Sequence, residues 1–157
     1  MAINPVPDGY HTATPYLILK DASAGIEFYK RAFGATELMR LPDSSGKIGH
    51  AEIKIGDSVI MLADEAPDWG CRGPQSLGGT PVSIMLYVQD ADTTFNRAVE
   101  AGAKALRPME DKFYGDRAGT LEDPYGHQWH VATHTEDLSP EALRQRFEAF
   151  MKQQGGA

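Results

Sequence analysis

The chain repeats itself, and the repeat restricts the fold more than any other feature. Asp21-Ala22 recurs as Asp90-Ala91 at an offset of 69 (90 − 21), and the same offset sets Ile26 over Phe95. After one deletion Gly34 falls on Gly102. Each Asp-Ala pair opens a stretch of helical spacing and each glycine closes it, so one supersecondary unit is present twice.

The unit has the order strand, helix, strand, strand, strand. In the first copy, residues 14–19 are expected to be a strand, and Asp21 or Ser23 caps a helix running to about Phe33, with Ile26, Tyr29, Lys30 and Phe33 at helical spacing. Strands at 35–40, 48–55 and 58–63 follow, separated by turn signals at 42–46 and at Gly56-Asp57. In the second copy the strand is 82–88, the helix 90–101 and the next strand 105–109. The last two strands lie within 116–133, joined at Asp123-Pro124-Tyr125-Gly126, where proline sets one φ and glycine supplies a positive one.

The boundaries follow from this order. Residues 1–9 read as an irregular arm, 10–64 as the first βαβββ module, 65–80 as a connecting loop broken by proline and glycine, and 81–134 as the second module. Residues 135–157 form a tail in which Ser139-Pro140-Glu141 starts a helix, and Leu143, Phe147 and Phe150 or Met151 make an apolar stripe expected to dock on the body. The fold class is α+β, two tandem modules and a C-terminal helix within one structural domain.

Strand alternation separates core from site. Trp129 and Val131 share one face of the last strand, while Gln128, His130 and Ala132 share the other. In the first strand Leu17 and Leu19 oppose Thr14, Tyr16 and Ile18. In the fifth, the aliphatic Ile84, Leu86 and Val88 oppose the mixed Ser83, Met85 and Tyr87. An aliphatic face suits helix packing, and a mixed, aromatic-bearing face suits a pocket lining.

Composition excludes several classes. A net charge of −7 and a pI near 5.1 lack the basic footprint of a nucleic-acid binder. A single cysteine, Cys71, allows no internal disulfide and fits a reducing cytoplasm. No signal-like start and no membrane-length apolar run is present, so a soluble, cytoplasmic protein is expected. G-x-S-x-G, G-x-G-x-x-G, Walker and H-E-x-x-H motifs are absent, which leaves hydrolase, dinucleotide and nucleotide readings without local support.

The segments TPYLILKDASAGIEFYKRAFGATELMRL, GHAEIKIGDSVIMLADE, QSLGGTPVSIMLYVQDAD and FYGDRAGTLEDPYGHQWHVATHTED resemble the vicinal oxygen chelate superfamily of glyoxalase I, bleomycin-resistance proteins and extradiol dioxygenases, and within it PhnB-like glyoxalase-type proteins. The resemblance spans about residues 10–134. It implies curved mixed sheets enclosing a cavity, helices on the convex side, and a homodimer. Metal-using members place a His or Glu on the first and last strand of each unit. Carried onto this chain, those places fall at Thr14, at Ile60 or Met61, at Ser83 and at His130.

Of these, His130 alone is a good ligand for a divalent ion, since hydroxyls bind weakly and a thioether suits copper(I). No metal cofactor is therefore expected, and a small organic ligand is expected in a cavity lined by Thr14, Tyr16, Ser83, Tyr87, Tyr114 and Arg117, with His130 among them. An acidic surface with an aromatic lining favours a cationic, planar compound. Arg117, which follows Asp116, is a candidate carboxylate or phosphate clamp, or else ties down its own loop. Glu52 and Glu122 occupy matching places in the two units, at an offset of 70 (122 − 52), and form, with His130, the candidate acid-base set. The rival reading is a metal-dependent lyase, isomerase or dioxygenase that recruits His11, His50 or Glu52 to His130.

Overall fold

The computed structural model describes residues 2–155, which form two four-stranded sheets with helices on one side of each. The first module comprises β1 (Tyr16–Leu19), α1 (Ala22–Phe33), β2 (Thr36–Pro42), β3 (Ile48–Ile55) and β4 (Ser58–Asp64). A 3-10 turn (Pro67–Trp69) and a one-turn helix α2 (Pro74–Leu77) lie in the connection expected to be irregular. The second module comprises β5 (Ser83–Tyr87), α3 (Ala91–Ala101), β6 (Lys104–Asp111), β7 (Asp116–Glu122) and β8 (Gln128–His134), and α4 (Pro140–Gly155) ends the described chain.

The two sheets have the same topology. Their orders are β1-β4-β3-β2 and β5-β8-β7-β6, with the first pair of each parallel and the others antiparallel. Local chemistry repeats as well. Asp21 Oδ1 accepts from Ala24 N at 3.0 Å to cap α1, and Asp90 Oδ1 accepts from Thr93 N at 3.1 Å to cap α3. The first helical amide of each, Ala22 N and Ala91 N, donates to a side chain at the end of the edge-neighbour strand: Asp64 at 2.7 Å and Thr133 at 2.9 Å. Gly34 closes α1 at φ 69, a conformation glycine adopts without steric cost.

One continuous core joins the modules. Leu17, Leu19, Ile26, Tyr29, Ile53 and Leu62 from the first pack with Phe95, Ala98, Leu121, Trp129 and Val131 from the second. Helices α1 and α3 lie side by side, and Arg97 donates to the carbonyl of Arg31 at 2.9 Å. Two polar contacts pin the junction. His127 Nε2 meets the carbonyl of Ile18 on β1 at 2.9 Å. Buried Asp123 accepts from Tyr29 Oη at 2.6 Å, from Trp129 Nε1 at 2.9 Å, and from the amides of Tyr125 and His127. The turn that sequence patterning marks as punctuation is thus also the keystone between halves.

Helix α4 has no buried residue. It rests on Phe113, whose ring centroid lies 4.9 Å from Phe150 and 5.9 Å from Phe147, and Arg146 holds Glu136 with both guanidinium amines. Its apolar stripe, Leu143, Phe147, Phe150 and Met151, stays exposed in the single chain, so the expected docking on the body is confined to the Phe113 contact. No helix among the described residues is long and apolar enough to cross a membrane.

Candidate functional site

The open face of each sheet carries a cross-strand row of four side chains, because paired residues in adjacent strands point the same way. In the second sheet, Arg107 pairs with Thr120, Thr120 with His130 and His130 with Met85. In the first sheet the equivalent row is Met39, Glu52, Met61 and Tyr16. The comparison corrects one expectation. Glu52 corresponds to Thr120, whereas Glu122 pairs with Gln128, one step along, and corresponds to Lys54. The two glutamates do not form a matched pair, and Glu122 lines a separate hollow beside α2 with Gln75 and Gln128.

His130 is the centre of the second row. Its Nδ1 shares a hydrogen bond with Thr120 Oγ1 at 2.8 Å and its Nε2 shares one with Ser83 Oγ at 2.9 Å. Burial lowers its pKa below the ordinary histidine value, and the Arg107 and Lys112 charges push in the same direction. The imidazole is therefore neutral at pH 7, with one ring nitrogen donating and the other accepting. One hydroxyl must donate into the ring. The other accepts from it and keeps its own proton to offer a ligand.

Around this row lies a cavity of about 670 Å³, bounded by Met85, Arg107, Lys112, Phe113, Tyr114 and Thr120, with Phe150 and Gln153 of α4 across its mouth. Its size falls in the range of small-molecule sites. The other expected ligand-binding residues are dispersed. Thr14, Tyr16 and Ser83 line a cleft of about 640 Å³ between the edge strands β1 and β5. Met85 is common to both spaces, and Ser83 reaches from the cleft to His130. Tyr87 lies in a third hollow with His134 and donates to buried Asp116 at 2.9 Å.

Arg117 is not brought to the cavity. It shares the helix-covered face of β7 with Gly119 and Leu121, where it forks onto Asp92 of α3 at 2.6 and 2.9 Å and reaches Asp111 at 3.3 Å. The clamp expected of it does not form. Nor does its tie to Asp116, which instead holds Tyr87 and His134. The buried core partner Leu121 carries the signal: residues 117, 119 and 121 share a face, so the parity of the strand places the guanidinium opposite His130. Arg107 and Lys112, absent from the expected set, supply the cavity's cations instead.

The first sheet holds a separate polar group. Glu52, buried on the open face, accepts from Tyr10 Oη and lies 3.7 Å from His50 Nε2, while His50 Nδ1 shares a hydrogen bond with Tyr16 Oη at 2.7 Å. The residues at the four strand positions do not fit a divalent ion, since Thr14, Met61 and Ser83 offer two hydroxyls and a thioether beside His130. Among the described residues no three His, Cys, Asp or Glu side chains converge, so His11, His50 and Glu52 do not complete a ligand set around His130.

Twin βαβββ sheets of identical strand order, with the helices on one side, define the fold class. The chain belongs to the Glyoxalase/Bleomycin resistance protein/Dioxygenase superfamily, whose family model matches residues 10–131. It is 40% identical over 159 aligned positions to Mb0911c of Mycobacterium bovis, covering 99% of both chains. Among solved structures, PA1353 from Pseudomonas aeruginosa superimposes with a TM-score of 0.66 at 25% identity, over 80% of this chain and 99% of that one. TioX from Micromonospora sp. ML1 does so with a TM-score of 0.61 at 26% identity, over 82% and 100%.

Proposed function

We propose that this chain binds a small organic molecule in the cavity of its second module, through the Ser83–His130–Thr120 row, without a divalent metal centre. The observation that carries the reading is the saturation of both His130 ring nitrogens by neutral hydroxyls, at the one family ligand position with a strong donor. A metal ion there would have to displace one of these bonds and find its remaining ligands among hydroxyls and a thioether. A hydrogen-bonding organic group needs only the spare hydroxyl proton. In the catalytic form of this reading, the hydroxyl that donates into the ring takes a proton from the bound molecule as it passes its own to the neutral imidazole, which is metal-free general-base chemistry. Glu52 and Glu122 lie outside the His130 cavity and take no part in it.

The protein is further proposed to act as a homodimer. Tyr16, Leu41, Met85 and Tyr87 stand exposed on the open faces, and the α4 stripe adds Leu143 and Met151. A second copy closing over these faces would remove an apolar surface that a lone chain leaves in water.

Two measurements test the reading. Elemental analysis of protein purified without chelator should find no stoichiometric nickel, zinc or iron, and a full equivalent of any of these favours the metal-dependent lyase, isomerase or dioxygenase. A fragment screen followed by the His130 imidazole resonances should find binders whose shifts vanish in Ser83→Ala/Thr120→Val. Binders that leave His130 unmoved overturn the assignment of the cavity.

A further inference from the structure

The cavity around His130 holds a cation without a partner among the described residues, although the chain as a whole is acidic. Four charged side chains line it: Arg107, Glu110, Asp111 and Lys112. Glu110 is engaged by Lys112, and the exposed Asp111 is held by Arg117 from the other side of the sheet. Arg107 has no ion pair and no side-chain hydrogen bond among the described residues, and its place in the row beside Thr120 directs it to the same open face as His130. The four lining charges sum to zero, so what sets the cavity apart is that Arg107 is its one cation without a carboxylate in ion-pair contact.

The walls are aromatic. Phe113 meets Tyr114 edge-on at 5.2 Å between ring centroids and Phe150 at 4.9 Å, so three rings stand beside the polar row. We propose that the cavity selects an anionic organic molecule of one or two rings, with a carboxylate taken by the Arg107 fork and the ring laid against Phe113, Tyr114 and Phe150. This rests on the cavity being the binding site and adds the class of molecule it takes. The guanidinium presents two parallel N–H groups, matching a carboxylate's two oxygens. The unspent hydroxyl proton beside His130 adds a further donor, and a neutral imidazole adds no competing charge. A cationic ring compound would meet the unpaired Arg107 at close range, whereas Glu110 and Asp111 are already engaged by Lys112 and Arg117.

The test uses three probes of equal size: 2-naphthoate, 2-naphthalenemethanol and 2-naphthylmethylammonium. Binding is followed by calorimetry and located by the His130 ring resonances. Naphthoate should bind about tenfold or more tighter than the alcohol, with the ammonium weakest, and Arg107→Met should remove that advantage while leaving the alcohol within about twofold. Arg107→Lys, which keeps the charge and loses the fork, should fall between. An ammonium that binds as tightly as naphthoate, or a naphthoate affinity unchanged in Arg107→Met, overturns the proposal. If all three probes move His130 with equal affinity, the cavity stands as the site and anion selection fails. If none moves it, the site assignment fails and the selectivity with it.

Discussion

Replacing Asp123 with alanine would test how much of the two-module junction depends on one carboxylate. The side chain is only 3% exposed and accepts four hydrogen bonds, from Tyr29 Oη, Trp129 Nε1 and the amides of Tyr125 and His127. Tyr29 and Trp129 are both fully buried, and burial together with the Asp123 carboxylate raises the Tyr29 pKa, keeping the phenol a donor. In Asp123→Ala these two donors lose their acceptor where water cannot reach, at about 1–3 kcal/mol each. The expected loss is therefore about 4 kcal/mol, a large share of the roughly 5–15 kcal/mol that holds a domain folded. Asp123→Asn keeps one oxygen but turns an amide N–H₂ toward a donor, and should lose about half as much. Tyr29→Phe leaves the carboxylate three of its partners and should lose about 1–2 kcal/mol. The double variant Tyr29→Phe/Asp123→Ala should cost less than the sum of the singles, because no phenol is left stranded. Urea unfolding at 25 °C gives all four values. Asp123→Ala within about 1 kcal/mol of the parent, or strict additivity in the double variant, would refute the keystone role.

His130 should titrate below the ordinary value of about 6.5 in an NMR titration of its ring, and Arg107→Met should raise the midpoint by removing one of the charges that depress it. Because the folded protein takes up this proton later than the unfolded chain, its contribution to stability is complete above about pH 6.5 and declines as the pH falls through the folded midpoint. His134 should behave oppositely. Its hydrogen bonds to Asp116 and Asp137 raise its pKa, so their contribution is present below about pH 6.5 and disappears as the pH rises through the folded midpoint, read as a shifted ring titration that Asp137→Asn reduces. Gly115→Ala should loosen the C-terminal tail. Gly115 sits at φ 91, a Cβ there would overlap the Glu136 carbonyl, and the Gly115 carbonyl accepts from the amides of Thr135 and Glu136. The cost should be at least about 1–3 kcal/mol, seen as faster tryptic cleavage at Arg144 and Arg146 with β5–β8 still protected from exchange.

What the chain's own pattern determines is the duplicated framework. Helical spacing between an Asp cap and a closing glycine, present twice, defines α1 and α3. Alternation in Tyr16–Leu19, Ser83–Tyr87 and Gln128–His134 assigns Leu17, Leu86, Trp129 and Val131 to the core and leaves His130 on the open face. These are local periodicities, and burial of one face enforces them. Pairing partners are not local. The ladder between β6 and β7 slips on either side of Arg107, so counting along the strand does not give the face of that residue, and only the assembled sheet puts it in line with Thr120 and His130. The place of Arg117 likewise depends on a contact across 25 residues, with Asp92 of α3. Asp123 shows the same division at a single residue, because its turn is legible from the neighbouring Pro124 and Gly126, while its burial against Tyr29 exists only once α1 has packed on the second module. Periodicity sets which way a side chain points, but the partner it finds is decided by the packing of distant segments.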